Sequence, residues 1–155
     1  FEVVALRYFN VFGPRQDPES EYAAVIPRFI TTLLKGNAPK IYGDGEQTRD
    51  FTYVGNIVNA NIHALEHVEA PGQIFNIAMG SGTSLNNLVK MLHKLTGVNI
   101  EPDHAEARPG DIRHSYADIS KALNILQFKP DVSVADGLQN TIDWYRSLHG
   151  NQTTK

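Results

Sequence analysis

Cysteine is absent from the 155 residues, which removes disulfides, thiolate nucleophiles and cysteine zinc sites and permits a reducing compartment without requiring one. No hydrophobic run approaches the ~18 residues of a membrane-spanning helix. Positive charge is not in excess either. Lys and Arg number 14 against 17 Asp and Glu, a formal net charge of −3, so no global field recruits nucleic acid. Internal repeats, low-complexity stretches and a signal-like opening segment are all missing, and a cytoplasmic location is the expectation. With 41% hydrophobic and 20% charged residues the composition is that of a folded domain, not a disordered chain.

Strand and helix signals alternate along what is there. Residues 2–7 carry the apolar run Val3-Val4-Ala5-Leu6, the pattern of a strand buried on both faces. Such a strand needs neighbours, yet it opens the chain at Phe1, and the expectation is a piece of something longer. A loop is expected over 10–21 and a helix over 23–34, its regular part starting at Pro27 because proline is tolerated only near a first turn, with Gly36 ending it. Further strands are expected over 40–42, 50–54, 74–78 and 98–103. Helices are expected over 57–68, from an N-capping Ser84 along Leu85, Leu88, Val89, Leu92 and Leu95, from Asp118 to Leu126, and from a Ser133/Asp136 capping box through Tyr145. The polar end, residues 151–155, reads as frayed. The sum is an α/β domain over 1–150, some of its short strands pairing in small separate sheets.

Two motifs invite chemistry and have plainer readings. His63-Ala64-Leu65-Glu66-His67 has the spacing of inverted zinc peptidases, but no third ligand is marked out, and a solvated helix face is expected. Met79-Gly80-Ser81-Gly82-Thr83-Ser84 resembles a phosphate-cradling turn, but it fits neither established glycine-rich phosphate pattern, and a tight strand-to-helix turn is expected. Asn151-Gln152-Thr153 is a glycosylation sequon without a secretion signal.

A third group points to an anion. Arg49-Asp50 follows the turn Gly43-Asp44-Gly45, Arg108-Pro109-Gly110-Asp111 lies in another loop, and Asn10 ends the first strand, beyond whose carboxyl end ligands of open α/β sheets bind. Two guanidinium forks from separate loops suit one pyrophosphate, and Tyr42 suits a planar base. Spacing alone leaves open the alternative of exposed, ion-pairing arginines.

Four ordered stretches carry a resemblance. They are Arg7-Tyr8-Phe9-Asn10-Val11-Phe12-Gly13-Pro14-Arg15-Gln16, Ala24-Val25-Ile26-Pro27, Tyr42-Gly43-Asp44-Gly45 with Arg49-Asp50-Phe51-Thr52-Tyr53-Val54, and Arg108-Pro109-Gly110-Asp111-Ile112-Arg113-His114-Ser115 with Ala117-Asp118-Ile119-Ser120-Lys121-Ala122. Together they resemble the carboxyl-terminal half of the extended short-chain dehydrogenases/reductases that act on nucleotide sugars, the NAD-dependent epimerase/dehydratase family. Within it they look most like the UDP-N-acetylglucosamine/UDP-glucose 4-epimerases. The resemblance implies the last strands of a Rossmann sheet plus a small α/β substrate-binding domain, with an NAD-binding half upstream. It implies NAD as cofactor and a UDP-sugar as substrate, epimerised at C4 through a 4-keto intermediate, in a protein that pairs through helices of that other half. A dehydratase, a decarboxylase or a stand-alone nucleotide-sugar-binding module is the alternative.

The resemblance also implies roles. Asn10 would meet the sugar nucleotide near the diphosphate, Phe9 would lie by the nicotinamide, and Ala24 and Val25 would offer backbone groups. Lys40, Ile41 and Tyr42 would flank the uracil, Arg49 and Arg108 would hold the diphosphate, and Asp111 would face the ribose. No catalytic residue is carried over. The family's glycine fingerprint is not in this sequence, and the positions four after each tyrosine are Phe12, Ile26, Glu46, Ile57, Ser120 and His149, so no Tyr-x-x-x-Lys pair exists.

Overall fold

The chain folds around two apolar cores joined by short parallel ladders. A computed structural model describes residues 2–19 and 25–150; Ala24, the tail at 151–155 and the sequon lie outside them. In chain order come β1 (Ala5–Tyr8), β2 (Val11–Phe12), α1 (Val25–Leu34), β3 (Lys40–Tyr42), β4 (Thr48–Arg49), β5 (Thr52–Tyr53) and α2 (Val54–Glu66). These are followed by β6 (Ile74–Ile77), β7 (Thr83–Ser84), α3 (Leu85–Thr96), β8 (Asp103–Ala105), α4 (Ser120–Ile125) and α5 (Val134–Gly150). The strands form separate two-stranded sheets: β1 with β6, β2 with β5 and β3 with β8 in parallel, and β4 with β7 antiparallel.

The larger core lies where α1, α3 and α5 meet. Ile26, Phe29, Ile30 and Leu33 of α1 pack with Leu85, Leu88, Val89 and Leu92 of α3 and with Leu138, Ile142 and Tyr145 of α5. Each set recurs at helical spacing, which is why these segments become helices once their stripes are buried together. Capping fits the sequence. The Ser84 hydroxyl accepts from Asn87 N–H at 3.2 Å, and Ser133 and Asp136 bond reciprocally through Ser133 Oγ to Asp136 Oδ2 (2.7 Å) and Asp136 N–H to Ser133 Oγ (3.1 Å). Pro27 sits in the first turn of α1, and Gly36 leaves it at a φ of +73°. The smaller core joins Ile57, Ala60 and Ala64 of α2 to Phe75 and Ile77 of β6 and to Ala122, Leu126 and Phe128 around α4.

Several expectations need correction. The first strand runs over Ala5–Tyr8 and is not buried on both faces: Val3 is 63% exposed and Tyr8 47%. Among the described residues β1 has only β6 beside it, so its outer edge and much of its surface stay open. The expected loop at 10–21 contains β2, because β5 offers it a parallel partner at Val11↔Thr52 and Phe12↔Tyr53. The extended stretch at 50–54 divides into β5 and the start of α2, so that helix begins at Val54 and ends at Glu66, earlier at both ends than periodicity indicates. The strand expected over 98–103 lies at Asp103–Ala105, since Val98 and Ile100 pack against the larger core instead of pairing. His67 is the extended C-cap of α2, so it and His63 do not share a helix face.

One buried carboxylate ties the two cores. Asp50 is fully buried. Its Oδ1 accepts from Met79 N–H (2.9 Å) and its Oδ2 from Gly80 N–H (3.0 Å) and Ala117 N–H (3.2 Å). The glycine-rich segment at 79–82 is therefore a tight turn whose amide serves an internal carboxylate, not a phosphate cradle. Asp50→Ala should lower the unfolding free energy by about 3 kcal/mol, because it strands buried N–H donors. Asp50→Asn, which keeps one acceptor oxygen, should cost less, and urea unfolding of both variants measures the difference.

Candidate functional site

A cleft of about 1100 Å³ opens where the ends of β1, β3 and β4 meet α1, α5 and the loop over 106–116. Chain segments far apart in sequence wall it. Asn10 arrives from the end of β1, with its backbone in the left-handed region at a φ of +30°, where Asn is among the few non-glycine residues enriched. Its carbonyl accepts from Thr52 N–H at 3.2 Å, which fastens this bend to β5. Lys40 and Tyr42 come from alternate positions of β3, so both face the cleft while Ile41 between them points into the core and is fully buried. Of that strand, then, only Lys40 and Tyr42 are cleft side chains, and the expectation for Ile41 narrows to its backbone.

The same alternation aims Gln47 and Arg49 into the cleft and turns Thr48 the other way, where its Oγ1 lies 3.2 Å from His114 Nδ1. The Arg49 guanidinium is tightly held. It donates to the carbonyls of Thr48 (2.8 Å) and Ile112 (2.6 Å) and pairs with the Asp111 carboxylate. Arg108 from the same loop stands over the Tyr42 ring, its guanidinium carbon 3.9 Å from the centroid, and Lys40 Nζ lies 5.3 Å from that centroid.

Asn10, Val25, Lys40, Tyr42, Arg49, Arg108 and Asp111 are thus gathered around one cleft. Phe9 is not among the residues that wall it. The pairings differ from the expectation of two free arginines facing one anion: Arg49 already holds Asp111, and Arg108 already covers Tyr42.

Other cleft residues escaped the sequence. Arg15, Arg28 and Lys35 also line it, bringing its cations among the described residues to six, against the three described carboxylates Asp17, Glu19 and Asp111. That local excess is opposite in sign to the whole chain. Arg28 was legible in principle, being one helical turn from Val25 on the same face of α1. Trp144 and Tyr145 carried no local signal, because α5 reaches the cleft only through the fold; the Tyr145 hydroxyl donates to the carbonyl of Gln16. Burial, with the Asp17 charge adding to it, pushes the Tyr145 phenol up. No group of three metal-ligating side chains occurs among the described residues, and no described helix is long and apolar enough to cross a membrane.

Residues 1–78 match the family described as the NAD dependent epimerase/dehydratase family. The chain belongs to that family. A structure of UDP-N-acetylglucosamine 4-epimerase from Methanobrevibacter ruminantium, in complex with UDP-N-acetylmuramic acid, matches this one with a TM-score of 0.89 and 46% identity over 96% of this chain and 47% of that one. UDP-glucose 4-epimerase from Thermotoga maritima, with UDP-glucose, matches with a TM-score of 0.88 and 42% identity over 93% of this chain and 46% of that one. Among curated relatives, a UDP-N-acetyl-alpha-D-glucosaminuronate decarboxylase from Bacillus cytotoxicus is 36% identical over 96% of this chain and 48% of its own length. The chain spans about half the length of the curated relatives it matches. Its fold is the mixed α/β fold of the matching part of these epimerases, the last strands of a Rossmann sheet with a small α/β domain.

The epimerase/dehydratase family is NAD dependent, and among the described residues the glycine-rich turn does not fit the phosphates of that cofactor. The glycine-rich turn at 79–82, where amides would have to face a phosphate, has its Gly80 N–H on Asp50.

The cations around Tyr42 set its acidity. The Arg108 guanidinium is the main cause and the Lys40 charge the second, and together they hold the phenol below its ordinary 10.0. Removing a cation disfavours the phenolate, so Arg108→Ala should move the Tyr42 titration up toward 10.0. The phenolate absorbance difference between each protein and its Tyr42→Phe counterpart reads this. A titration unchanged by Arg108→Ala would remove Arg108 from the phenol's surroundings.

Proposed function

We propose that this chain is the substrate-binding half of an NAD-dependent UDP-sugar 4-epimerase, acting on UDP-GlcNAc/UDP-GalNAc or UDP-Glc/UDP-Gal. The observation that carries this is the meeting of Asn10, Lys40, Tyr42, Arg49, Arg108 and Asp111, from four separate segments, around one cation-rich cleft. The pattern suits a nucleoside diphosphate, with an aromatic ring for a planar base and donors for phosphate oxygens. An epimerase must anchor the nucleotide while the sugar presents first one face and then the other. Binding energy is therefore best concentrated on base and diphosphate, away from the reacting ring. Arg49, Arg108 and Asn10 would hold the diphosphate, Lys40 and Tyr42 the uracil, and Asp111 the ribose side. Ala24 and Val25 would contribute through their backbones.

The reading includes an upstream NAD-binding half, beside which Phe9 would face the nicotinamide. Two features of the surface support such a companion. Parallel sheets are normally covered on both faces, yet three of the four residues of β1 are exposed. On α2, Val54, Val58, Ile62 and Leu65 form an exposed apolar stripe at helical spacing. The 155-residue chain carries no Tyr-x-x-x-Lys pair to serve as acid–base group for the 4-hydroxyl.

Incubation of the 155-residue chain with UDP-GlcNAc and NAD+ should yield no UDP-GalNAc, and detection of that product overturns the claim of inactivity. In the full-length protein, Arg49→Ala or Arg108→Ala should weaken UDP binding about ten- to a hundredfold, the loss expected of one or two charge-assisted hydrogen bonds. Unaltered affinity in both variants would defeat the reading of the cleft. The likeness to a decarboxylase favours a second reading, a decarboxylase or dehydratase on the same anchor. Product analysis of the full-length protein separates them, because only epimerisation conserves the sugar's mass.

A further inference from the structure

The loop over 106–116 contributes Arg108 and Asp111 to the cleft but contains no helix or named strand, and its residues 106–114 are exposed. Something other than burial must fix its position. Part of the answer lies inside the cleft, in the Arg49 contacts with Asp111 and the Ile112 carbonyl. These are the groups a bound diphosphate would compete for, so on their own they would release the loop as the ligand arrives.

The second fastening is outside the cleft. Arg113 donates both arms of its fork to Asp44, Nη1 to Oδ1 and Nη2 to Oδ2, each at 2.8 Å, and neither residue lines the cleft. Asp44 is preset for this. Its Oδ1 also accepts from Glu46 N–H at 3.0 Å, and Arg113 first, then that amide, holds the carboxyl below the ordinary aspartate range. The turn bearing Asp44 is in turn anchored to α3. Asn86 Nδ2 donates to the Asp44 carbonyl (2.9 Å) and Asn86 N–H to the Gly45 carbonyl (3.0 Å). Only glycine allows that approach: Gly45 has a φ of +78°, and a Cβ there would fall 2.1 Å from Asn86 Oδ1. Backbone bonds between Thr48 N–H and the Arg113 carbonyl (2.9 Å), and between Ser115 N–H and the Thr48 carbonyl (3.2 Å), lie beside the ion pair.

We propose that Asp44 and Arg113 form a positioning clasp that keeps Arg108 and Asp111 in register over Tyr42 and Arg49 while the inner contacts are exchanged for ligand. The proposal rests on the cleft being the nucleotide-sugar site. The clasp adds little to folding, since both side chains are more than half exposed; its effect is on where the loop sits. It is bidentate and charge-assisted, the geometry in which an exposed pair retains its strength.

The test is a double-mutant cycle in the full-length protein with Asp44→Asn, Arg113→Gln and the pair together. Asparagine keeps the acceptor for Glu46 N–H and removes only the charge. Each single variant should raise KM for the UDP-sugar about three- to fivefold, the scale of one good exposed ion pair, with kcat within twofold. The double variant should be no worse than either single one, and Arg113→Lys should recover part of the loss. In the ligand-free protein, amide hydrogen exchange at Thr48 and Ser115 should speed up in both single variants. KM unchanged in either single variant, additive losses in the double, or unaltered exchange would each overturn the clasp. Because exchange is read without ligand, a wild-type protein that binds no nucleotide sugar would sink the site's assignment while the exchange arm still decides the clasp.

Discussion

Two adjacent side chains, Arg49 at the end of β4 and Asp50 just past it, hold the molecule's loops to its frame. Asp50 turns inward and collects three backbone N–H groups from the segments at 79–80 and 117. Arg49 turns outward and collects the Asp111 carboxylate and two carbonyls at the cleft wall. The inward contact is sealed from water and fixes the relation of the two cores. The outward one is 18% exposed at the arginine and 36% at the aspartate, where it can be given up to a ligand. One half of the pair is a structural bond and the other a replaceable one, and the difference is burial.

That division explains how a site assembled from short ladders and loops can be ordered before a ligand arrives. Each cleft residue is set by something stiffer behind it. Tyr42 lies on a strand paired with β8, Asn10 is held in a left-handed bend by Thr52, and Arg108 rests on the Tyr42 ring. Pre-positioning of this kind reduces the ordering a ligand must impose when it binds. It also gives the cleft its sign, since six cations gather on a chain whose net charge is negative.

The parts of this arrangement legible in the sequence were those with local causes. The stripes of α1 and α3, the Ser84 cap, the Ser133/Asp136 box and the short strand at Lys40–Tyr42 follow from spacing and side-chain chemistry within a few residues. The two-residue strands β2, β4 and β7 were not legible, because their only cause is a partner elsewhere in the chain. Position 50 shows the same limit. Beside Arg49 it looked like part of an anion site, whereas its role is set by amides 29, 30 and 67 residues away. The ordered motifs contain many of the residues that line the cleft, but they do not show which of those residues pair with one another. Neither the grip of Arg49 on Asp111 nor the rest of Arg108 on Tyr42 has a signature in one dimension.

The open outer edge of β1 carries a further consequence. Unpaired backbone donors and acceptors run along it, apolar Val3 and half-exposed Ile74 lie close by, and the α2 stripe adds oily surface. Natural sheets blunt such edges with prolines, inward charges or a covering element. Where this one meets only water it is a template on which a second molecule can add a strand.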